Sequence, residues 1–507
     1  MSTTPQPVAP QVLIVGAGPT GLNLALQLAR RGVRFRIVDT AEGPGTASRA
    51  MVVQARTLEF YRQLGVADAV VAEGVMIPAV RLREGGEEVA RVSFRELGAG
   101  ESPYPFVLAY AQDDHERLLV GELARAGVAV EWGTALTALT QDGAGVRATL
   151  SRGGTEEVCT PAFLCGCDGA HSRVREALGI GFPGGTYDQL FYVADARIAG
   201  GFREELSVTL GAHGLGLMLP VRLSGMQRLI GLVPAALTSR PGLTFEDLRP
   251  GIEALMDIRV EGVNWFSTYH VHHRVAERFR AGRCFLAGDA GHIHSPAGGQ
   301  GMNTGIGDAV NLGWKLAEVV AGRADPALLD TYEPERIAFA RSLVATTDRA
   351  FRAVTGPGLG GQVLRTVLLP HLLPALWGFA AARKALFETV SQVRIAYHDS
   401  PLSAGRAGRV QGGDRLPWLG EPDNFAPLAS LSWQVHVHGT GRPDLAEEAD
   451  RLGLPLHAFP WTEAGREAGF AEGAAYLVRP DGYVALAGPE PGALAAYGAR
   501  WGIGERA

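Results

Sequence analysis

Hydrophobic and polar positions first form a strong pattern at residues 11–39. Val12, Leu13, Ile14 and Val15 make a continuous apolar run, which predicts a strand buried on both faces. The loop Gly16-Ala17-Gly18-Pro19-Thr20-Gly21 follows. Leu22, Leu24, Ala25, Leu28 and Ala29 then recur at helical spacing, and Gly32 stops that helix. Residues 34–38 restore a strand with Asp39 at its end, so the stretch reads as a complete βαβ unit.

Farther on the pattern changes character. Residues 50–158 are mixed, with a helix at 113–126 whose Leu118, Leu119 and Leu123 face inward, and short strands at 128–132 and 146–150. Residues 161–165 form another buried strand, leading into Cys167-Asp168-Gly169. From Gly184 to about Val271 the runs are β-rich and punctuated by glycine and proline, which predicts a second domain built on a sheet. A buried strand returns at 283–287 and ends at Gly288-Asp289. A glycine-rich loop then opens a long helix, with Met302, Ile306, Ala309, Val310, Gly313, Leu316 and Val320 on one face. The first domain is therefore expected to be interrupted by the second and completed after it. Residues 333–395 are mostly helical. From about Pro401 a third unit begins, with strand-like segments at 434–438, 475–478 and 483–486 and a tight Pro480-Asp481-Gly482 turn.

The length of 507 residues agrees with two or three domains. The net charge of −6 argues against nucleic acid as the main partner, because binding it needs a basic face. Four cysteines without C-x-x-C spacing give no sign of a metal site or disulfide framework, which makes a reducing cytoplasm the expected location. The first ten residues are polar and proline-rich, unlike a signal peptide. Residues 366–382 carry no acid and no lysine or arginine, but they contain Pro370, His371 and Pro374 and are short for a membrane span. They are read as a buried or interfacial helix, a surface that could dock the third unit or form a homodimer contact.

Three motifs carry chemistry. In the first, Gly16 permits a tight turn, Gly18 lets backbone approach a pyrophosphate, and Gly21 lets helix pack on sheet, while the helix N-terminus offers free N–H groups to phosphates. Asp39 stands where an acid accepts hydrogen bonds from ribose hydroxyls. In the second, Asp168-Gly169 follows a strand and precedes Arg173 and Arg175; taken alone it reads as a helix N-cap. In the third, Asp289 is placed to bind a ribose or ribityl hydroxyl. The loop from Pro296 through Gly301 to Met302 and Asn303 leads into a helix whose N-terminus can stabilise negative charge.

In this order and spacing the three motifs resemble those of the single-component FAD aromatic hydroxylases of the p-hydroxybenzoate hydroxylase type. The string from Gly288-Asp289-Ala290-Gly291-His292 to Asn311-Leu312-Gly313-Trp314-Lys315-Leu316 looks most like the phenol and aromatic polyketide hydroxylase branch. The resemblance covers nearly the whole chain. It implies an α/β fold: a Rossmann-like FAD-binding domain (1–183 and 276–400) interrupted by a β-sheet substrate domain (184–275), plus a C-terminal thioredoxin-like α/β domain (401–507). With no cysteine, that last domain is redox-inert. The resemblance further implies that Gly16, Gly18, Gly21 and Asp39 hold the adenosine and pyrophosphate half of FAD. Arg49, Gln112, Asp168, Gly169, Gly288 and Asp289 would complete the cofactor site, and Pro296, Gly301, Met302 and Asn303 would lie beside the flavin ring. Asp168-Gly169 would also serve the pyridine nucleotide. The implied reaction uses NADPH or NADH and O2 to form a C4a-hydroperoxyflavin, whose distal oxygen an electron-rich ring attacks.

No metal and no protein nucleophile is called for. The residue that would deprotonate a phenol is not identifiable from sequence, and His292 is read as a structural hydrogen-bonding group. Around the substrate, His213, Met218 and Pro220 are the expected contacts, with Met218 and Pro220 on an apolar strand. Two other outcomes stay open: Baeyer–Villiger or antibiotic-modifying oxygenation by the same cofactor, and a flavin-binding scaffold without turnover.

Overall fold

The computed structural model describes residues 10–46, 50–84, 87–94, 97–143, 145–211, 214–295, 297–355 and 379–504. The apolar run Val12–Val15 is an interior strand of a five-stranded sheet, next to its Phe35–Val38 edge, with all four residues buried. It pairs in parallel with Phe35–Val38 on one side and Phe163–Gly166 on the other. Cys284–Leu286 adds in parallel beyond Phe163–Gly166, and Arg280–Ala281 closes that edge as a hairpin. A strand from residue 284 thus completes a sheet begun at residue 12, which places the intervening domain as an insertion.

Helix α1 (Pro19–Arg30) covers the sheet, burying Leu22, Leu24, Leu26 and Leu28. Beside it run α2 (Ala55–Leu64) and α3 (Gln112–Arg125). The inserted region carries α4 (Phe245–Met256), and the FAD-side core is completed by α5 (Gly301–Val320) and α6 (Tyr332–Thr355). α5 is buried along most of its length; its apolar and small residues pack in the core, and its polar stripe of Thr304, Asp308, Asn311 and Lys315 is buried against hydrogen-bonding partners.

The inserted sheet has eight strands and is wider than residues 184–275. Its order is His292–Ile293, Val260–Val275, Gly184–Ile198, Met226–Leu232, Gly214–Val221, Leu206–Gly211, Ala79–Glu84 and Glu87–Ser93. The pair at 79–93 comes from the earlier part of the chain, and Ala79–Glu84 joins Leu206–Gly211 in parallel. Val80, Leu82 and Val92 bury their side chains between charged neighbours, the alternation of a half-buried hairpin.

The C-terminal unit is a six-stranded sheet. Gln434–His438 and Leu456–Phe459 are parallel, joined through a helix at Leu445–Arg451, while Ala475–Val478 and Val484–Ala487 form an antiparallel pair followed by a helix at Ala493–Trp501. This βαβ–ββα order is the thioredoxin-like arrangement. Residues 366–378 lie outside the described residues. The described joint is instead built by α5 and the segment after it: Trp314, Ala324 and Leu328 lie in one apolar cluster with Trp433, Leu402 and Trp501. Among the described residues no helix is long and apolar enough to cross a membrane.

Candidate functional site

Three turns meet at the C-terminal ends of the parallel strands, where ligands bind in open α/β sheets. In the first, Gly16 has φ +104°, and a Cβ there would lie 2.3 Å from the Cys167 carbonyl oxygen. A Cβ on Gly21 would lie 1.9 Å from the Gly16 oxygen. Both glycines are therefore required by the protein's own packing. Gly18 differs: a Cβ there would meet nothing within 4 Å, so the space over this turn is open. Gly18 caps α1 without any side-chain hydrogen bond, and the first helical bond is Leu22 N–H to the Gly18 carbonyl. The N–H groups of Thr20 and Gly21 are thus left without intrahelical acceptors. This open, donor-lined turn fits a pyrophosphate.

Asp39 Oδ2 accepts from Ala17 N–H at 2.6 Å and Oδ1 from Ala41 N–H at 2.8 Å. The carboxylate therefore orders the glycine turn itself. With about four acceptor sites on a carboxylate, it retains capacity for ribose hydroxyls.

The second turn departs from the N-cap reading of Asp168. Ser172 is the cap of the helix Arg173–Ala177, its hydroxyl accepting from Arg175 N–H at 3.0 Å. Asp168 Oδ2 accepts from Val174 N–H at 3.1 Å, while Oδ1 is buried with no hydrogen-bond partner. Burial raises the Asp168 pKa above the usual carboxylate value, against the pull of its Ser172 and backbone hydrogen bonds. Arg175 ties this turn to the third, donating to the Ala170 carbonyl at 2.8 Å and to the Ala290 carbonyl at 2.9 Å, with its guanidinium 3.9 Å from the Phe182 ring centroid.

In the third turn Gly288 has φ +63° and packs so closely on Thr20 that a Cβ would lie 2.4 Å from its hydroxyl oxygen. Asp289 is exposed at the tip. Gly288 N–H donates to Asp308 Oδ2 at 2.9 Å, and His292 Nε2 is 2.7 Å from the same oxygen. A carboxylate only accepts, so Nε2 carries the proton. His292 has the fixing role expected of it. Burial alone would raise the Asp308 pKa, but Arg336 and His292 outweigh it and hold the carboxylate below its ordinary value.

The glycine-rich loop delivers the chain to α5, and Gln300 caps α5 without a side-chain bond. Its amide is engaged elsewhere, donating to the Val390 carbonyl at 2.8 Å and accepting from Gln392 Nε2 at 2.6 Å. The first-turn N–H groups of Gly301, Met302 and Asn303 therefore have no helical acceptor. The Asn303 side chain does not point to a ligand: Oδ1 accepts from Gln54 N–H and Thr57 hydroxyl, and Nδ2 donates to the Val52 and Gly299 carbonyls. Gln112 sits at the start of α3 and donates to Glu116 Oε1 at 2.8 Å, while Glu116 Oε2 accepts from Gly45 N–H at 2.9 Å. Glu116 is an ordering residue that no sequence motif announces, and Arg175, which the second motif contains, orders two turns at once. Arg49, His213 and Pro296 lie outside the described residues.

The inserted sheet turns one face to this region. Leu219 and Val221 share an apolar cluster with Met51, Val75, Ala109 and Ala111 of the FAD side. Met218 belongs to the opposite face, in the core with Ile252 and Met256 of α4. Pro220, two residues on, shares the Met218 side by strand alternation. The wall facing the FAD side is partly aromatic, with Phe191 and Tyr269 stacked at 5.8 Å and Trp265 opposite Asp195. Arg228 is buried on that face, gripping Asp195 with two bonds of 2.7 Å.

One open, donor-lined glycine turn and a long helix with free first-turn N–H groups are what an FAD enzyme of the monooxygenase class would need, and the comparisons with known proteins give that class. The chain belongs to the FAD binding domain family, which it matches over residues 9–347. It is 37% identical over 421 residues to a 6-methylpretetramide 4-monooxygenase of Streptomyces rimosus, covering 80% of this chain and 73% of that protein. It is 37% identical over 502 residues to a flavin-dependent monooxygenase of Mycobacteroides abscessus, covering 94% and 96%. Among solved structures it resembles aklavinone-11 hydroxylase in a ternary complex with FAD and aklavinone, at TM-score 0.78 and 28% identity over 98% of this chain and 99% of that one.

Proposed function

We propose that the protein inserts one oxygen atom from O2 into a phenolic or polycyclic aromatic substrate of the polyketide kind, with NADPH or NADH as the electron source. The observation that carries this reading is the sheet wall facing the FAD side: largely apolar and partly aromatic around one internally paired Arg228 and Asp195, and partly exposed at Trp265 and Tyr269. Such a wall suits a flat apolar ring system. FAD supplies the redox chemistry when bound. Gly16, Gly18, Gly21 and Asp39 hold its adenosine and pyrophosphate half; Asp168, Gly169, Gly288 and Asp289 hold its middle. The first-turn N–H groups at Gly301, Met302 and Asn303 favour negative charge on the flavin pyrimidine. By the resemblance Gln112 would contact the flavin, Arg49 would contact FAD and Pro296 would lie beside the ring, the last two lying outside the described residues.

Substrate contact is assigned to Leu219 and its neighbours on that face, in preference to Met218 and Pro220. The pyridine nucleotide is expected to visit the site near Arg49 and Asp168 without a domain of its own, since only one G-x-G-x-x-G follows a strand. The test is a screen of phenols and aromatic polyketides that follows NADPH loss and product mass together. Substrate-stimulated NADPH loss with a product heavier by one oxygen on an intact ring supports hydroxylation. A ring-expanded ester would replace it with Baeyer–Villiger chemistry, and FAD binding without turnover on any substrate would leave a scaffold.

A further inference from the structure

The C-terminal unit contains none of the flavin motifs, yet its buried polar contacts reach both segments that shape the flavin site. One arm starts at Tyr397, whose ring packs tilted against Tyr483 of that unit with centroids 4.4 Å apart and whose N–H donates to the Gly413 carbonyl at 2.8 Å. The Tyr397 hydroxyl accepts from Arg336 Nη1 at 3.0 Å. Arg336 donates through Nε to Asp308 Oδ1 at 2.6 Å and through Nη2 to the Thr304 carbonyl at 3.0 Å. Asp308 in turn holds the Gly288 N–H and His292. Three side chains thus connect the C-terminal unit to the turn that presents Asp289.

The second arm runs through α2. Arg56 Nη2 donates to the Asp481 carbonyl at 2.8 Å, and Arg415 Nε donates to Glu59 Oε2 at 2.9 Å. At the start of α2, Gln54 N–H and the Thr57 hydroxyl hold Asn303 Oδ1 at 2.9 and 2.8 Å, which fixes the first turn of α5. The two arms grip the flavin site at its ribityl end and its pyrimidine end.

We propose that the C-terminal unit braces the FAD site, with Asp308 and Asn303 as the positioning residues through which the two arms act. A weld that only held two domains together would need neither arm to end on a flavin turn. Asp308 uses both carboxylate oxygens to span from Arg336 to Gly288, and Asn303 spends all four of its side-chain hydrogen bonds between the entry to α2 and the loop before α5.

The test uses the full chain with FAD removed and titrated back. Tyr397→Phe deletes only the hydroxyl of the first arm, and Thr57→Val only the hydroxyl of the second. Asp308→Asn is the severe variant and is read only if it folds. For each mild variant the FAD dissociation constant should rise roughly five-fold, the equilibrium cost of about one neutral hydrogen bond. The visible flavin spectrum should shift, and the apoprotein melting temperature should move by no more than about 3 °C. Arg466→Ala, at the exposed Arg466–Glu463 pair in the same unit, should move none of these. Unchanged FAD affinity and spectrum in both mild variants would overturn the proposal, whatever happens to the melting temperature.

Discussion

The flavin turns and the joint with the C-terminal unit are both polar and both central, but they treat their polar groups in opposite ways. At the turns, two helices start without side-chain caps, Asp168 Oδ1 is buried and unpartnered, and the space over Gly18 is open. At the joint the two central carboxylates are matched, although the indole nitrogens of Trp433 and Trp501 beside them have no partner. Glu335 accepts from Lys315, Asn311, Arg479 and Ser400, while Asp481 accepts from Arg479 and Trp314. Burial lowers the Lys315 pKa to about 8, with Glu335 opposing the fall. The contrast separates a place that awaits a ligand from one that is already satisfied: unspent donors mark the first, a closed ledger of charges the second.

Breaking the closed joint should have the largest effect. Glu335→Ala leaves the Lys315 and Arg479 charges buried without their carboxylate, and should cost about 3–5 kcal/mol in urea unfolding. A loss below about 1 kcal/mol, the range of a surface pair, would mean that the joint is wetter than it looks.

The inserted sheet offers the next contrast. Met218→Ala, in the core under α4, should cost about 2–5 kcal/mol and leave the substrate KM unchanged. Leu219→Ala, one residue along on the other face, should instead raise KM. A KM effect from Met218→Ala with none from Leu219→Ala would reverse the assignment of the two faces.

The open turn should respond differently again. Gly18→Ala puts a methyl group into empty space, so apoprotein stability should stay within about 0.5 kcal/mol. FAD affinity should fall by about ten-fold or more, or about 1.4 kcal/mol. Equal FAD content in wild type and variant would show that the opening is not where the pyrophosphate lies.

The last contrast is drawn out by acid. Burial lowers the pKa of His436 to about 3 and of His438 to about 4, and His438 lies against the Phe470 ring at 3.7 Å. Both are neutral in the folded C-terminal unit and protonate on unfolding. Their stabilisation is complete above the ordinary histidine pKa of about 6.5, and it is lost as pH falls from there toward 4. Glu59 acts lower down: burial opposes its charge, but Arg415 and Arg56 bring its pKa to about 2, so its contribution is lost only as pH falls from about 4.5 toward 2. Denaturation series at successive pH values should show the upper slope shrink in His438→Gln.

What was legible in the sequence follows from the same contrast. The flavin turns impose local requirements, a glycine or an acid at fixed spacing after an apolar strand, and Gly16, Asp39 and Gly288 stand where the motifs put them. The joint imposes none. Glu335 meets Arg479 across 144 positions and Ser400 across 65, and each of these residues alone reads as ordinary surface. The edge hairpin at 79–93 was missed because charged residues fill its outward positions, leaving Val80, Leu82 and Val92 too sparse to stand out. Met218 and Leu219 could not be told apart, because a strand buried on both faces carries no alternation to say which side meets the ligand.

The central claim, that this FAD enzyme is a monooxygenase acting on an aromatic ring, is tested most directly by turnover under labelled dioxygen. Once a substrate has been found that accelerates NADPH oxidation, the account predicts a hydroxylated product carrying one labelled oxygen atom. A product whose new oxygen comes from water, or NADPH oxidation that yields only peroxide with every aromatic substrate tried, would contradict it.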